Sequence, residues 1–165
     1  MVTHLAVALA FVCCAAACGT STQSSGGATP SSLATPRSSL GPLVLTEKGC
    51  TYAGPARIAS GPVALNMTNQ TKLQFNLDLW KLNDGHSYAE LDSHIKEEQR
   101  RAAAGEPGLG HPTFAALIDQ ESVASGTESK NISTLKPGTY GFVCIAFATG
   151  GPVAIWLAGP LVVEA

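Results

Sequence analysis

Apolar and polar residues alternate along several stretches of the chain, the pattern of a β-strand with one buried face. The clearest stretch is 72–82, KLQFNLDLWKL, in which one face carries Leu73, Phe75, Leu77 and Leu79. The opposite face is polar except for Trp80. A second alternating stretch, 62–68, precedes it across the polar pair Asn69-Gln70, and the two stretches together predict a β-hairpin.

Strand signals continue to the C-terminus. Pro137-Gly138 predicts a type II turn, because glycine tolerates the positive φ that the third position of this turn requires. The stretch 140–147 is apolar on both faces, as in a central strand. Further short strands are predicted over 43–46, 51–59, 130–135, 153–157 and 161–164. Many short strands divided by turn residues predict a mainly β fold, a β-sandwich.

The period changes to that of a helix over 88–103. Ser87 and Glu90 have the spacing of a capping box at its start, and Gly105 stands where a C-terminal cap belongs. The apolar face of this helix is formed by Tyr88, Leu91, Ile95 and Ala102. A second, shorter helix is expected over 111–118.

The segment 135–163 resembles the C-terminal half of cupredoxin-like domains. The family pattern L-x-P-G-x-Y-x-F-x-C is matched by Leu135, Pro137, Gly138, Tyr140, Phe142 and Cys144. Upstream, the segment 82–88 is similar to the L-x-D-G stretch that leads into the helix of exported cupredoxin-like proteins. The resemblance implies a Greek-key β-sandwich of the cupredoxin-like class with one inserted helix, over residues 42–165.

The copper ligands of that family are not matched. A blue-copper site needs a cysteine thiolate, two imidazoles and a weak axial ligand. The chain after Cys144 contains neither His nor Met, and Gly159-Pro160 stands where Gly-Met is expected. We therefore expect no copper and no other cofactor. The alternative is a metal-binding or redox protein with atypical ligands, drawn from His86, His94, His111, Met67 and Cys144.

The N-terminal segment has the features of an export signal. Residues 5–18 are an unbroken apolar run, and no Asp, Glu, Lys or Arg precedes Arg37. The run is too short to span a bilayer and ends at Cys18, after three alanines. It resembles a bacterial lipobox, which implies a signal peptide over 1–18 and lipidation of Cys18. An ordinary signal peptide cleaved after the alanines is the alternative.

Residues 19–41 are rich in Ser, Thr, Gly and Pro and predict a flexible tether. We expect an exported protein that is anchored by lipid on the extracytoplasmic face of the cell membrane. Two cysteines, Cys50 and Cys144, follow the leader. An even number of cysteines in an oxidising compartment favours a disulfide between them.

Composition and motifs narrow the function classes. The formal net charge is -2, which gives no field that would attract nucleic acid. The sequence contains none of the common hydrolase, metalloprotease or nucleotide-binding motifs, so we expect no enzyme. The series His86, Glu90, His94 and Glu98 has the helical spacing of a metal site. The capping box argues against such a site, because it places His86 outside the helix and occupies Glu90, so a solvated helix face is the favoured interpretation.

The expected function is that of a non-catalytic cell-envelope lipoprotein, a binding or interaction module. Its partner would be an envelope protein or a small ligand, besides the membrane that holds the anchor. Trp80 and Trp156 are the candidates for lining a ligand pocket.

Overall fold

The computed structural model describes residues 38–165. This part of the chain contains nine β-strands and one α-helix. In chain order they are β1 (Ser38–Thr46), β2 (Gly49–Tyr52), β3 (Arg57–Ala59), β4 (Gly61–Asn69), β5 (Gln74–Leu82), α1 (Tyr88–Ala104), β6 (Ala115–Val123), β7 (Glu128–Leu135), β8 (Gly138–Ala148) and β9 (Gly151–Glu164).

The strands form two sheets, one with the order β2-β1-β4-β7 and one with the order β3-β9-β8-β5-β6. Most neighbours are antiparallel, whereas β1 pairs with β4 and β3 pairs with β9 in parallel. The inner faces of both sheets bury one apolar core, which includes Leu43, Met67, Phe75, Phe142 and Leu161. The predicted fold class, a mainly β sandwich with one inserted helix, is confirmed.

The helix α1 covers the outer face of the five-stranded sheet. A second, smaller apolar cluster forms there from Trp80 and Leu82 of β5, Val143 of β8, and Leu91 and Ile95 of α1. The alternation of β5 therefore places Leu77 in the core between the sheets and Trp80 beneath the helix. The outer face of β5 looks polar in the sequence, yet much of it is buried.

The ends of α1 are those the sequence predicts. The backbone N–H of Glu90 donates to Ser87 Oγ over 3.3 Å, and the backbone N–H of Ser87 donates to Glu90 Oε2 over 2.6 Å. Gly105 adopts the left-handed conformation at the C-terminus, with φ of 67°. Leu91 and Ile95 are buried as expected, but Ala102 in the last turn is exposed, because it borders an open groove beside the first residues of β9.

The predicted hairpin over 62–82 is wrong, because β4 and β5 lie in different sheets. Both strands direct an apolar face into the same core, so they face each other across the sandwich. The buried side chain of Asn69 fixes the segment in which the chain passes from one sheet to the other. Its amide nitrogen donates to the carbonyl oxygens of Leu73, Val123 and Ala124 at 2.8, 3.1 and 3.0 Å.

Three further boundaries differ from the predictions. The expected short helix over 111–118 is wrong, because residues from Ala115 pair with β5 as the edge strand β6. The two expected strands over 153–164 are one strand, β9, which follows β8 along its whole length. Strand β1 begins at Ser38 and buries Leu40 against the core, so residues 38–41 belong to the sandwich and not to the predicted tether.

Candidate functional site

A cavity of about 250 Å³ lies between α1, the loop 105–114 and the outer face of the five-stranded sheet. We call it the helix–sheet pocket. Its walls are apolar side chains: Trp80, Leu91, Ile95, Val143, Ile145 and Ile155. Asp78, His94, Glu98 and His111 are the polar side chains that reach it. Apolar walls with a few convergent polar groups are the usual composition of a small-molecule site.

Asp78 is the most deeply buried polar group of this pocket. Two residues before Trp80 on β5, it lies on the same outer face of the sheet and is only 4% exposed. Its Oδ1 accepts a hydrogen bond from Gln120 Nε2 on β6 over 2.7 Å. Burial raises the pKa of Asp78, although the Gln120 hydrogen bond and the nearby His111 act to lower it.

Asp78 is the functional candidate that the sequence does not reveal. The alternation of β5 does place Asp78 and Trp80 on one face, and this was the available signal. Nothing in that alternation shows that α1 and the loop 105–114 cover this face. An aspartate on a strand's polar face is normally solvated, and only the tertiary arrangement makes this one unusual.

The loop 105–114 closes the pocket and is held to α1 through Gly110. The ring nitrogen Nε2 of His94 lies 3.0 Å from the carbonyl oxygen of Gly110, and the N–H of Gly110 donates to Glu98 Oε1 over 2.8 Å. Gly110 has φ of 77°, a conformation that other residues adopt at a cost. The ring of His111 then lies edge-on to Trp80, with the ring centroids 4.9 Å apart.

The two tryptophans predicted to line a pocket lie on different faces of the same sheet. Trp80 is 5% exposed and lines the helix–sheet pocket. Trp156 on β9 instead packs against the core between the sheets and stacks on Phe75, with ring centroids 5.8 Å apart. It borders a separate groove together with Lys48 and Cys50. The structure therefore brings only Trp80 to the site.

Cys50 and Cys144 form a disulfide, as the sequence predicts, with their Cα atoms 6.2 Å apart. Cys50 lies on β2 of the four-stranded sheet and Cys144 on β8 of the five-stranded sheet. The bond thus joins the two layers of the sandwich. Cys144 is fully buried in the core between them.

Among residues 38–165, Cys144 is not available as the thiolate of a blue-copper site. Such a site uses a free thiolate, and the sulfur of Cys144 is bonded to Cys50. Cys144 and Met67 face the core, whereas His94 and His111 border the pocket on the other face of the five-stranded sheet. Within residues 38–165, no group of three or more His, Cys, Asp or Glu side chains is arranged to hold a metal ion.

The helical series of His and Glu side chains is occupied by local contacts. His86 Nδ1 lies 3.1 Å from Glu90 Oε1, and Glu90 also completes the capping box. His94 and Glu98 both hold Gly110. The ring of His86 stacks on Phe114, with centroids 5.4 Å apart. These contacts give each member a structural role on or beside α1.

The remaining predicted sites lie outside the described residues. They comprise the signal peptide 1–18, the lipidation site Cys18 and the tether up to residue 37. Among the described residues, no helix is long and apolar enough to cross a membrane.

No protein-family model and no curated protein matches the chain. Three solved structures of auracyanins are similar to it. Auracyanin B is 17% identical over 80% of this chain and 92% of its own, with a TM-score of 0.41. The dithionite-reduced auracyanin of the photosynthetic bacterium Roseiflexus castenholzii is 17% identical over 78% and 97%, also with a TM-score of 0.41. Auracyanin A, a "blue" copper protein of Chloroflexus aurantiacus, is 17% identical over 75% and 100%, with a TM-score of 0.38. Such similarity is too low to transfer a ligand or a residue's role to this chain.

Proposed function

We propose that this chain is a non-catalytic cell-envelope lipoprotein whose sandwich domain binds a small, largely apolar ligand in the helix–sheet pocket. The observation that carries the proposal is the pocket itself: six apolar side chains line a half-open cavity of about 250 Å³, with a buried carboxylate among them. Ligand sites of small molecules typically have volumes of about 300–1,000 Å³. The cavity lies just below this range, so the occupant is a small molecule of at most two or three rings.

A binding role is supported over a catalytic one by the composition of the pocket. No serine, threonine, cysteine or lysine is among the described residues that line it, so it offers no side-chain nucleophile of those types. His94 and Glu98 both hold Gly110 in place. The polar groups orient the loop and the ligand instead of performing a reaction.

The envelope location is part of the same proposal and is supported by the sequence. Cys18 ends an apolar leader in a lipobox-like context, and the Ser/Thr/Gly/Pro-rich segment after it has the composition of a tether. A lipid on Cys18 would hold the domain on the extracytoplasmic face of the cell membrane. The disulfide agrees with an oxidising compartment.

Binding can be tested with the neutral fluorescent probe N-phenylnaphthylamine and the purified full-chain protein. The probe's fluorescence should rise on entry into an apolar site, and Ile155→Phe should weaken its binding at least about tenfold, because the larger ring fills the cavity. Ile155 is only half-buried on β9, which makes the change tolerable for folding. A thermal melt of the variant verifies that it is folded.

The matched control is Ile132→Phe on β7, where Ile132 is 51% exposed and distant in sequence from the pocket residues. It adds the same apolar atoms to the surface and should leave probe binding unchanged. Equal binding by the wild type and folded Ile155→Phe would contradict the proposal, as would equal losses in both variants.

A further inference from the structure

We infer that the ligand of the helix–sheet pocket carries a cationic amine that pairs with Asp78, a proposal that rests on the function proposed above. The carboxylate of Asp78 lines the cavity beside Trp80 and is almost completely removed from solvent. The side-chain amide of Gln120, which is neutral, donates a hydrogen bond to it. The geometry thus places an acidic group in an apolar pocket beside an aromatic surface.

The charges around the cavity favour a cation over an anion. Asp78 and Glu98 both line it, and no lysine or arginine does so among the residues the structure describes. A bound anion would meet two carboxylates without a permanently charged partner. An ammonium group would instead meet an opposite charge in a low-dielectric site, where such an attraction is stronger than in water.

A cation would stabilise the buried carboxylate of Asp78 more than it would stabilise a carboxylate on the surface. A buried charge without a charged partner is costly, and a hydrogen bond from a neutral amide offsets only part of that cost. His111 lies close enough to influence Asp78, but it is an exposed residue at the mouth of the pocket and not a permanent cation. A ligand's ammonium group would supply the missing charge within the cavity.

The aromatic surroundings agree with this chemistry. An ammonium group binds favourably over an indole face, and more strongly so when it is desolvated. Trp80 places an indole ring in the wall of the cavity next to Asp78, and Ile145, Ile155 and Val143 supply an apolar wall for the rest of the molecule. The ligand class that fits is a small primary amine with an apolar ring or chain.

Two probes of the same shape test the inference: phenylbutylammonium, which is charged, and phenylbutanol, which is neutral. Titration of the full-chain protein at pH 7, followed by calorimetry, should show at least about tenfold tighter binding of the amine, which corresponds to about 1.4 kcal/mol. Asp78→Asn should remove this preference by weakening the binding of the amine far more than that of the alcohol, because asparagine retains the shape and the acceptor for Gln120 but not the charge. The control Asp84→Asn, in an exposed turn, should keep the full preference.

Three other outcomes would overturn the inference, and each can be distinguished from the others. If both probes bind with equal affinity and Ile155→Phe weakens the binding of both, the pocket is a binding site but it does not select a cationic amine. An amine preference that persists in Asp78→Asn would assign the recognition to another group. Binding of neither probe would overturn both this inference and the function on which it rests.

Discussion

At the scale of single residues, the buried carboxylate of Asp78 reduces the stability of the fold, an effect that a purely structural residue would not have. Burial raises its pKa above the ordinary value of 3.8, so the folded protein holds the Asp78 proton more tightly than the unfolded chain does. A raised pKa in the folded state stabilises the fold at pH values below 3.8, and this contribution is lost as the pH rises through the raised pKa. At pH values above the raised pKa, the ionised carboxylate therefore destabilises the domain.

The first prediction follows from this sign. Asp78→Asn should raise the melting temperature at pH 7 by a few degrees, and the advantage should disappear at a pH below 3.8, where both side chains are neutral. Melting curves recorded by circular dichroism across this pH range measure the effect. Asp84→Asn serves as the control and should change the melting temperature little at either end. A variant that is less stable than the wild type at pH 7 would show that Asp78 has a structural role.

At the scale of secondary-structure elements, the helix was predictable because its signals are local. Ser87, Glu90 and Gly105 act within one turn of the ends of α1, and each has the contact that its position implies. The placement of β4 and β5 in different sheets was not predictable in this way. Their alternation shows which side chains are buried, but a hairpin and two facing strands bury the same side chains.

The same reason explains what the sequence could and could not show of the pocket. Trp80 interrupts a polar face, and this anomaly makes it a candidate in the sequence; in the structure it lines the helix–sheet pocket. Asp78 matches the polar character of its face, so the sequence pattern does not mark it as buried. The elements that bury it are α1 and the loop 105–114. Trp156 was an equally good candidate by residue type, but β9 directs it to the opposite face of the sheet.

The second prediction concerns the cap of α1. Ser87→Ala removes the hydroxyl that accepts from the N–H of Glu90, and it should lower the free energy of unfolding by about 1 kcal/mol. Urea denaturation measures this. Ser93→Ala is the matched control, since Ser93 Oγ donates to the carbonyl oxygen of Ala89 within the helix and caps nothing. Equal effects of the two substitutions would contradict the role given to Ser87.

At the scale of the whole molecule, the disulfide is the covalent link between the two sheets. Cys50 and Cys144 are separated by 94 positions in the chain, so the bond closes a loop that spans most of the domain. In the chain-entropy account, a loop of this length stabilises a fold by roughly 4–5 kcal/mol. The even number of cysteines after the leader and the expected oxidising compartment were enough to predict the pair from the sequence. The strand order that brings the two residues together was not predictable.

The third prediction is that reduction of this bond lowers the melting temperature substantially and increases the intact mass by two hydrogens. The double variant Cys50→Ala and Cys144→Ala provides the control, because a reductant should have no further effect on its melting temperature. Two thiols that react freely with an alkylating agent in the untreated native protein would contradict the disulfide.

The fourth prediction concerns the anchor. Cys18→Ala should move the expressed protein from the detergent phase to the aqueous phase in a phase separation, while the disulfide-linked domain stays folded. Cys14→Ala, in the same apolar leader, should leave the partitioning unchanged. Mass analysis of the N-terminal peptide should find a lipid on Cys18. An N-terminus at Cys18 without a lipid, or at Gly19 or Thr20, would indicate an ordinary cleaved signal peptide instead.

The central claim, that the domain binds its ligand beneath α1, can be tested through its two tryptophan side chains. Trp80 and Trp156 are the only two tryptophans of the sequence, and they lie on opposite faces of one sheet. A two-dimensional NMR titration with phenylbutylammonium reports on each indole N–H separately, and Trp156→Phe assigns the two signals. The account predicts a saturable shift of the Trp80 signal with little change at Trp156. A shift confined to Trp156, or no saturable shift of either signal, would contradict it.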